Sequence, residues 1–297
     1  MTTSRKLFEQ LLSITEVWQC LLPFGSAQPR VRRPARRGFA RVHGARLYYE
    51  MKGSSHPLVL IHGGQMDRRM WDPQFDLFAR RYTVLRYDVH GYGRSEAPAK
   101  GFSHAEDLSG LLDFLRLEKA SLIGLSLGGR IAIDFALSHP ERVETLVLAG
   151  PGLGGYRFTD QSGWAIVEAA RDEGLEKAAE MWLENPYMAP AMENPAIRDR
   201  MRQLALENAH TWLANPIFER DLKPPAIERL SDIHVPTLIV VGDRDVEDIQ
   251  KIVEILTGGI AGSEKQVIPG AGHIVNMEKP EEFNQLVLGF LEKRNLV

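Results

Sequence analysis

From residue 45 onward the sequence alternates short apolar runs with longer stretches whose apolar residues recur every three or four positions, and this alternation narrows the possible folds most. Leu47 to Glu50 alternate as a half-buried edge strand does. Pro57-Leu-Val-Leu-Ile61 is a continuous apolar run of the buried-strand kind, and similar runs lie at Tyr82 to Tyr87, Ala120 to Ile123, Thr145 to Ala149, Pro236 to Val241 and Gln266 to Ile268. Helical patterns separate most of them, among them Ala105 to Leu117, Arg130 to Leu137 and Glu282 to Glu292. Parallel strands need crossovers long enough to hold a helix, so the pattern predicts an α/β chain: a mostly parallel central sheet flanked by helices. In such sheets binding sites gather beyond the carboxyl ends of the strands.

The rhythm breaks between residue 151 and about 225, where helical patterns follow one another with no convincing strand. An insertion of this kind predicts a helical cap over the strand ends. Its aromatic residues Trp164, Trp182, Tyr187 and Trp212 are the candidates for substrate contact, and Met181, Met188, Met192 and Met201 add adaptable apolar surface. Most of these side chains are expected to pack the insertion's own small core, with only a few facing a ligand. The expected division is an N-terminal extension over 1–38, a core formed by 39–150 and 226–297, and a cap over 151–225.

The extension has a different texture. Leu7, Phe8, Leu11, Leu12, Ile14, Val17, Trp18, Leu21 and Leu22 fall on one stripe of a helix ending near Pro23. Arg5, Lys6 and Gly25-Ser-Ala27 invite a signal-peptide reading, but Glu9, Gln10, Glu16 and Gln19 interrupt the apolar stretch and also rule out a membrane-spanning helix. The arginines that follow, Arg30, Arg32, Arg33, Arg36, Arg37 and Arg41, read as a solvated linker in preference to an anchor on an anionic surface. The single cysteine, Cys20, cannot close an intrachain disulfide. A cytoplasmic chain is therefore expected, with export as the alternative. With 36 Lys plus Arg against 39 Asp plus Glu, the net charge of -3 gives no reason to expect a nucleic-acid partner.

The stretch with chemical content is Gly124-Leu125-Ser126-Leu127-Gly128-Gly129, between the Ala120 to Ile123 strand and the helical pattern from Arg130. This is G-x-S-x-G in its required strand, turn and helix setting. Side chains at 124 and 128 would collide with the packed strand and helix, so the small neighbours let Ser126 project its hydroxyl above the sheet. The helix N-terminus offers backbone N–H groups where negative charge develops, Leu127 supplying the first donor of an oxyanion hole. A second donor is expected from Leu60-Ile-His62-Gly63-Gly64-Gln65 after an earlier strand, with Gly64 favoured over Gln65. His62 itself reads as a loop-shaping hydrogen-bonding group.

A serine hydroxyl needs a base, and the base an orienting acid. Of nine histidines, His273 sits best, in the glycine-rich Ile268-Pro-Gly-Ala-Gly-His273 loop beyond the last strand; His90 is its nearest competitor. The acid follows Pro236 to Val241 in Gly242-Asp243-Arg244-Asp245, where spacing leaves Asp243 and Asp245 open.

In order along the chain, Leu60-Ile-His-Gly63, Asp88-Val-His-Gly-Tyr-Gly-Arg-Ser95, Gly124 to Gly129, Gly242-Asp-Arg-Asp245 and Gly270-Ala-Gly-His273 resemble a capped α/β-hydrolase. The resemblance covers residues 40–150 and 226–297. It implies the α/β-hydrolase fold and, through the pattern G-x-x-D, an acid at Asp245; His90 departs from the Arg that many relatives carry in that turn. Relatives that cleave haloalkanes or epoxides use a carboxylate nucleophile, whereas serine attack on an alkyl carbon would leave an ether with no easy exit. Ser126 therefore points to acyl chemistry on a small-molecule acyl substrate: a serine esterase of the carboxylesterase kind. A lactonase, a C–C bond hydrolase or a ligand receptor of the same fold with little turnover are the alternatives.

No cofactor is expected. Gly150-Pro-Gly-Leu-Gly-Gly155 formally matches a dinucleotide fingerprint, but Pro151 removes an N–H from the phosphate cradle and no helix start is evident behind it. Metal catalysis lacks an H-E-x-x-H or comparable cluster.

Overall fold

The computed structural model describes residues 34–160 and 162–296. The amphipathic stripe, Cys20 and the arginines up to Arg33 lie outside them. Eight strands form one sheet: β1 (Arg36–Val42), β2 (Ala45–Lys52), β3 (Pro57–Ile61), β4 (Thr83–Tyr87), β5 (Ala120–Leu125), β6 (Val143–Ala149), β7 (Thr237–Gly242) and β8 (Glu264–Ile268). Their spatial order is β1-β2-β4-β3-β5-β6-β7-β8. β1 pairs with β2, and β2 with β4, in antiparallel fashion, while every pair from β4 to β8 is parallel.

Each apolar run became a strand; those of the central strands bury both faces and have partners on both sides, whereas Gln266 to Ile268 lies in the edge strand β8, where Val267 is exposed. Alternate residues of the central strands enter two different cores. Val59 and Ile61 of β3 join Leu146, Leu148, Ile239 and Val241 on one face, whereas Leu58 and Leu60 join Val147, Leu238 and Val240 on the other. The first face is covered by the helices His104–Leu115, Leu127–Ser138 and Glu247–Gly259, the second by Asp72–Phe78 and Pro280–Glu292.

Two readings at the N-terminal edge need correction. The Leu47 to Glu50 stretch is not an edge strand: β2 lies between β1 and β4, and β1 forms the edge. Arg36, Arg37 and Arg41, assigned to the linker, belong to β1, so the sheet begins inside the range given to the extension. β1 keeps Ala40 and Val42 inward while Arg37 and Arg41 face solvent; charge on the outer face of an edge strand imitates a linker in sequence.

Between β6 and β7 the described residues hold no strand. They hold the helices Ser162–Asp172, Leu175–Leu183, Ala189–Met192, Pro195–Asn208 and Thr211–Phe218. Ile166, Ala170 and Ala178 form a small cluster with Met181, Trp182 and Trp212, so part of this insertion packs upon itself as expected. Met188, Met201 and Leu204 instead join the core beneath. The glycine-rich segment after β6 leads to no immediate helix, the next beginning at Ser162, which removes the structural setting of a dinucleotide fingerprint. Among the described residues no helix is long and apolar enough to cross a membrane.

Candidate active site

β5 ends at Leu125 and the helix Leu127–Ser138 begins at once, leaving Ser126 alone to reverse the chain. Its backbone takes φ 54° and ψ -113°, a strained setting for a residue with a side chain. Three backbone hydrogen bonds hold it there: Ser126 N–H donates to Ala149 O at 3.0 Å, and Ser126 O accepts from Arg130 N–H at 3.1 Å and Gly152 N–H at 2.9 Å. The flanking glycines are required by space. A Cβ at 124 would lie 2.1 Å from Gly128 O, and one at 128 would lie 2.1 Å from Ile61 O. Among the described residues the Ser126 hydroxyl has no hydrogen-bond partner, which leaves it available to a ligand.

His273 is buried in the loop after β8, and its Nδ1 lies 3.0 Å from Asp245 Oδ2. Geometry thereby separates the two aspartates: Asp243 Oδ1 accepts from Gly270 N–H at 2.7 Å, shaping the loop, while Asp245 meets the imidazole and takes Val246 N–H at 2.8 Å on its other oxygen. With Nδ1 engaged, Nε2 remains for the cavity. Glu278, which the sequence did not single out, accepts from Gly272 N–H at 2.7 Å and Ile274 N–H at 2.9 Å, clasping both sides of His273. Burial raises its pKa against the pull of those two bonds and of His273. The Tyr187 ring stands edge-on to the imidazole, centroids 5.0 Å apart.

The other histidines are committed elsewhere. Val89 N–H donates to His62 Nε2 at 2.9 Å, so that nitrogen is unprotonated and Nδ1 carries the hydrogen, donated to Gly63 O at 2.8 Å. Burial lowers the His62 pKa, in keeping with this neutral tautomer. The loop-shaping reading therefore fits. His90 pairs through Nδ1 with Asp107 Oδ2 at 2.8 Å and lines a different cavity from Ser126.

Ser126 and His273 line one cavity of about 310 Å³ between sheet and cap. Gly64, proposed as an oxyanion donor, is on its wall, beside Gln65, whose Oε1 accepts from Thr211 Oγ1 at 2.6 Å. Leu127 opens the helix, where first-turn N–H groups lack partners inside the helix. From the cap come Trp182, Tyr187 and Trp212, as expected, with Phe158, Ile166 and Met188. Trp164 is a correction. It is 72% exposed and does not line the cavity, because the helix Ser162–Asp172 turns Ser162, Gly163 and Ile166 inward and rotates position 164 toward solvent. A polar group that sequence reasoning missed completes the wall: Asp160, Ser162 and Asn185.

A parallel sheet with an inserted helical cap, and a serine turn at its carboxyl edge, define a class. The chain belongs to the alpha/beta hydrolase family, whose pattern matches residues 58–286. It is 32% identical to the 2-hydroxy-6-oxononadienedioate/2-hydroxy-6-oxononatrienedioate hydrolase of Paraburkholderia phymatum, over 84% of this chain and 91% of that protein. Among solved structures it resembles the enol-lactonase from Burkholderia xenovorans, with TM-score 0.73 and 27% identity, covering 86% of this chain and 100% of the other. An esterase from Exiguobacterium antarcticum gives TM-score 0.75 at 26% identity, covering 86% and 100%. At the level of activity these comparisons support a hydrolase.

Proposed function

We propose that this hydrolase cleaves carboxylic esters, open-chain or cyclic, through an acyl-enzyme on Ser126. The observation that carries the reading is the buried 3.0 Å hydrogen bond between His273 and Asp245, on the cavity that a strained Ser126 also lines. In the cycle, His273 Nε2 takes the Ser126 proton as the hydroxyl oxygen bonds to the carbonyl carbon. Gly64 and Leu127 N–H groups hold the oxyanion, and the imidazolium returns the proton to the departing alcohol. Water then repeats the steps on the acyl-enzyme and releases the acid. Asp245 keeps the hydrogen on Nδ1 and stabilises the cation.

Phe158, Ile166, Trp182, Met188 and Trp212 support an apolar acyl group. The Paraburkholderia phymatum relative is named for dioates. Two carboxylates call for cationic partners, and no Lys or Arg lines this cavity among the described residues.

Turnover of p-nitrophenyl butyrate tests the reading. Ser126→Ala and His273→Ala should each lower kcat/KM by about 10³-fold or more while the fold is kept. Undiminished turnover in Ser126→Ala, or tight ligand binding with negligible turnover in the unaltered protein, would overturn it.

A further inference from the structure

Besides Gln65, Ser126, Tyr187 and His273, the polar part of the cavity wall is Asp160, Ser162 and Asn185, and Asp160 is its one carboxylate among the described residues. Asp160 stands where the chain passes from the sheet into the cap, and its carboxylate is fixed by neighbours. Oδ1 accepts from Ser162 N–H at 2.8 Å, and Oδ2 accepts from the Ser162 hydroxyl at 2.7 Å and from Asn185 Nδ2 at 3.5 Å. Asn185 Nδ2 also donates to Ser162 Oγ at 2.7 Å, which joins the three residues in one network. The backbone behind them is anchored as well. Asp248 Oδ2, on the core helix, accepts from Thr159 N–H and Thr159 Oγ1 at 2.8 Å each and from Asp160 N–H at 3.3 Å.

Among the described residues every hydrogen-bond donor to the Asp160 carboxylate is neutral, so the bonds hold the anion in place without cancelling it. Asp160 is an exposed residue; its partial desolvation is more than offset by the bonds from Ser162 and Asn185, leaving the group below the usual carboxylate range and ionised at neutral pH. With no Lys or Arg on the described cavity wall, a second carboxylate entering the cavity meets a like charge and no counter-charge.

We propose that Asp160 is a specificity-determining residue that turns away acyl groups ending in a carboxylate, so that the substrates are esters or lactones whose far end is neutral or cationic. This rests on the ester-hydrolase reading of the site. A purely structural role is the competing account, since Asp160 Oδ1 also accepts from the N–H of Ser162, the first residue of the helix Ser162–Asp172. Asp160→Asn separates the two, because the amide keeps an acceptor oxygen for the cap and loses the charge.

Two p-nitrophenyl esters of equal chain length provide the test: the pentanoate, and the half-ester of glutaric acid, which ends in a carboxylate. The full chain should favour the pentanoate in kcat/KM by about tenfold or more, the size expected for like charges several ångströms apart in a partly screened site. Asp160→Asn should cut that preference about threefold or more, the half-ester value rising relative to the pentanoate value. An unchanged preference in Asp160→Asn, or a full chain that favours the half-ester, overturns the proposal. Should neither ester be turned over, the ester-hydrolase reading fails. The charge filter is then read from binding of 4-phenylbutanamide against 4-phenylbutanoate, followed by tryptophan fluorescence: equal affinities in both proteins overturn it, and weaker binding of the acid that recovers in Asp160→Asn supports it.

Discussion

Asp134 lies on the helix that begins behind Ser126, and its Oδ1 is buried without a hydrogen-bond partner among the described residues. Burial pushes its pKa up to about 6; Arg130 opposes the rise, and Glu219 and Asp221 add to it. The folded chain thus keeps this proton where the unfolded chain, with a carboxyl near 3.8, has released it. Stability falls as pH climbs through that window, and the full penalty applies above it. Asp134→Asn should therefore be the more stable protein at pH 7.5, with its advantage about 2 kcal/mol larger there than at pH 4.5. Urea unfolding of both proteins at the two pH values measures this; an advantage that does not grow with pH would show that Asp134 is not held neutral. At this scale the sequence was legible where a residue's role is set by its own short loop. Ser126 and His273 stand in contiguous motifs, whereas Asp245 is preferred to Asp243 only through the family resemblance, spacing leaving both open. Asp160, Ser162 and Asn185 escaped notice because their association depends on how the cap folds back, which no local pattern encodes. Trp164 was chosen for its chemistry, although the phase of its helix decides which way it faces.

Among elements, the cap helix Pro195–Asn208 ends on a buried amide that ties it to two core loops. Asn208 Oδ1 accepts from Gly93 N–H at 2.7 Å, while Nδ2 donates to Asp67 Oδ2 at 3.1 Å and to Leu204 O at 2.9 Å. Removing this side chain takes the acceptor from the Gly93 N–H and leaves the buried Asp67 carboxylate short of one donor. Asn208→Ala should cost about 2 to 4 kcal/mol in denaturant unfolding. A loss below about 0.5 kcal/mol would mean that the loops find other partners without cost. The strands of the sheet were read correctly where burial is two-sided and the apolar run is unbroken. β1 was lost because only two of its inward residues are apolar, and its arginines dominate the composition.

For the whole molecule, the cap and the sheet are joined by polar links spread around the seam: Arg244 to Glu193 at 2.8 Å, Arg200 to Asp72 at 2.5 Å, Arg69 to Glu207, Thr211 to Gln65, and the bonds gathered by Asp248. The apolar core crosses the same seam through Met188, Met201 and Leu204. Calorimetry should accordingly record one unfolding transition for cap and sheet together, and two resolved transitions would show the cap to be an independent unit. The outward rotation of Trp164 gives the protein a convenient optical contrast. A water-soluble quencher such as acrylamide should extinguish that indole's emission early, whereas Trp182 and Trp212 lie at the cavity. With Trp164→Phe in the background, a ligand-induced change in the remaining light reports on Trp182 and Trp212, over the emission of Trp18 and Trp71.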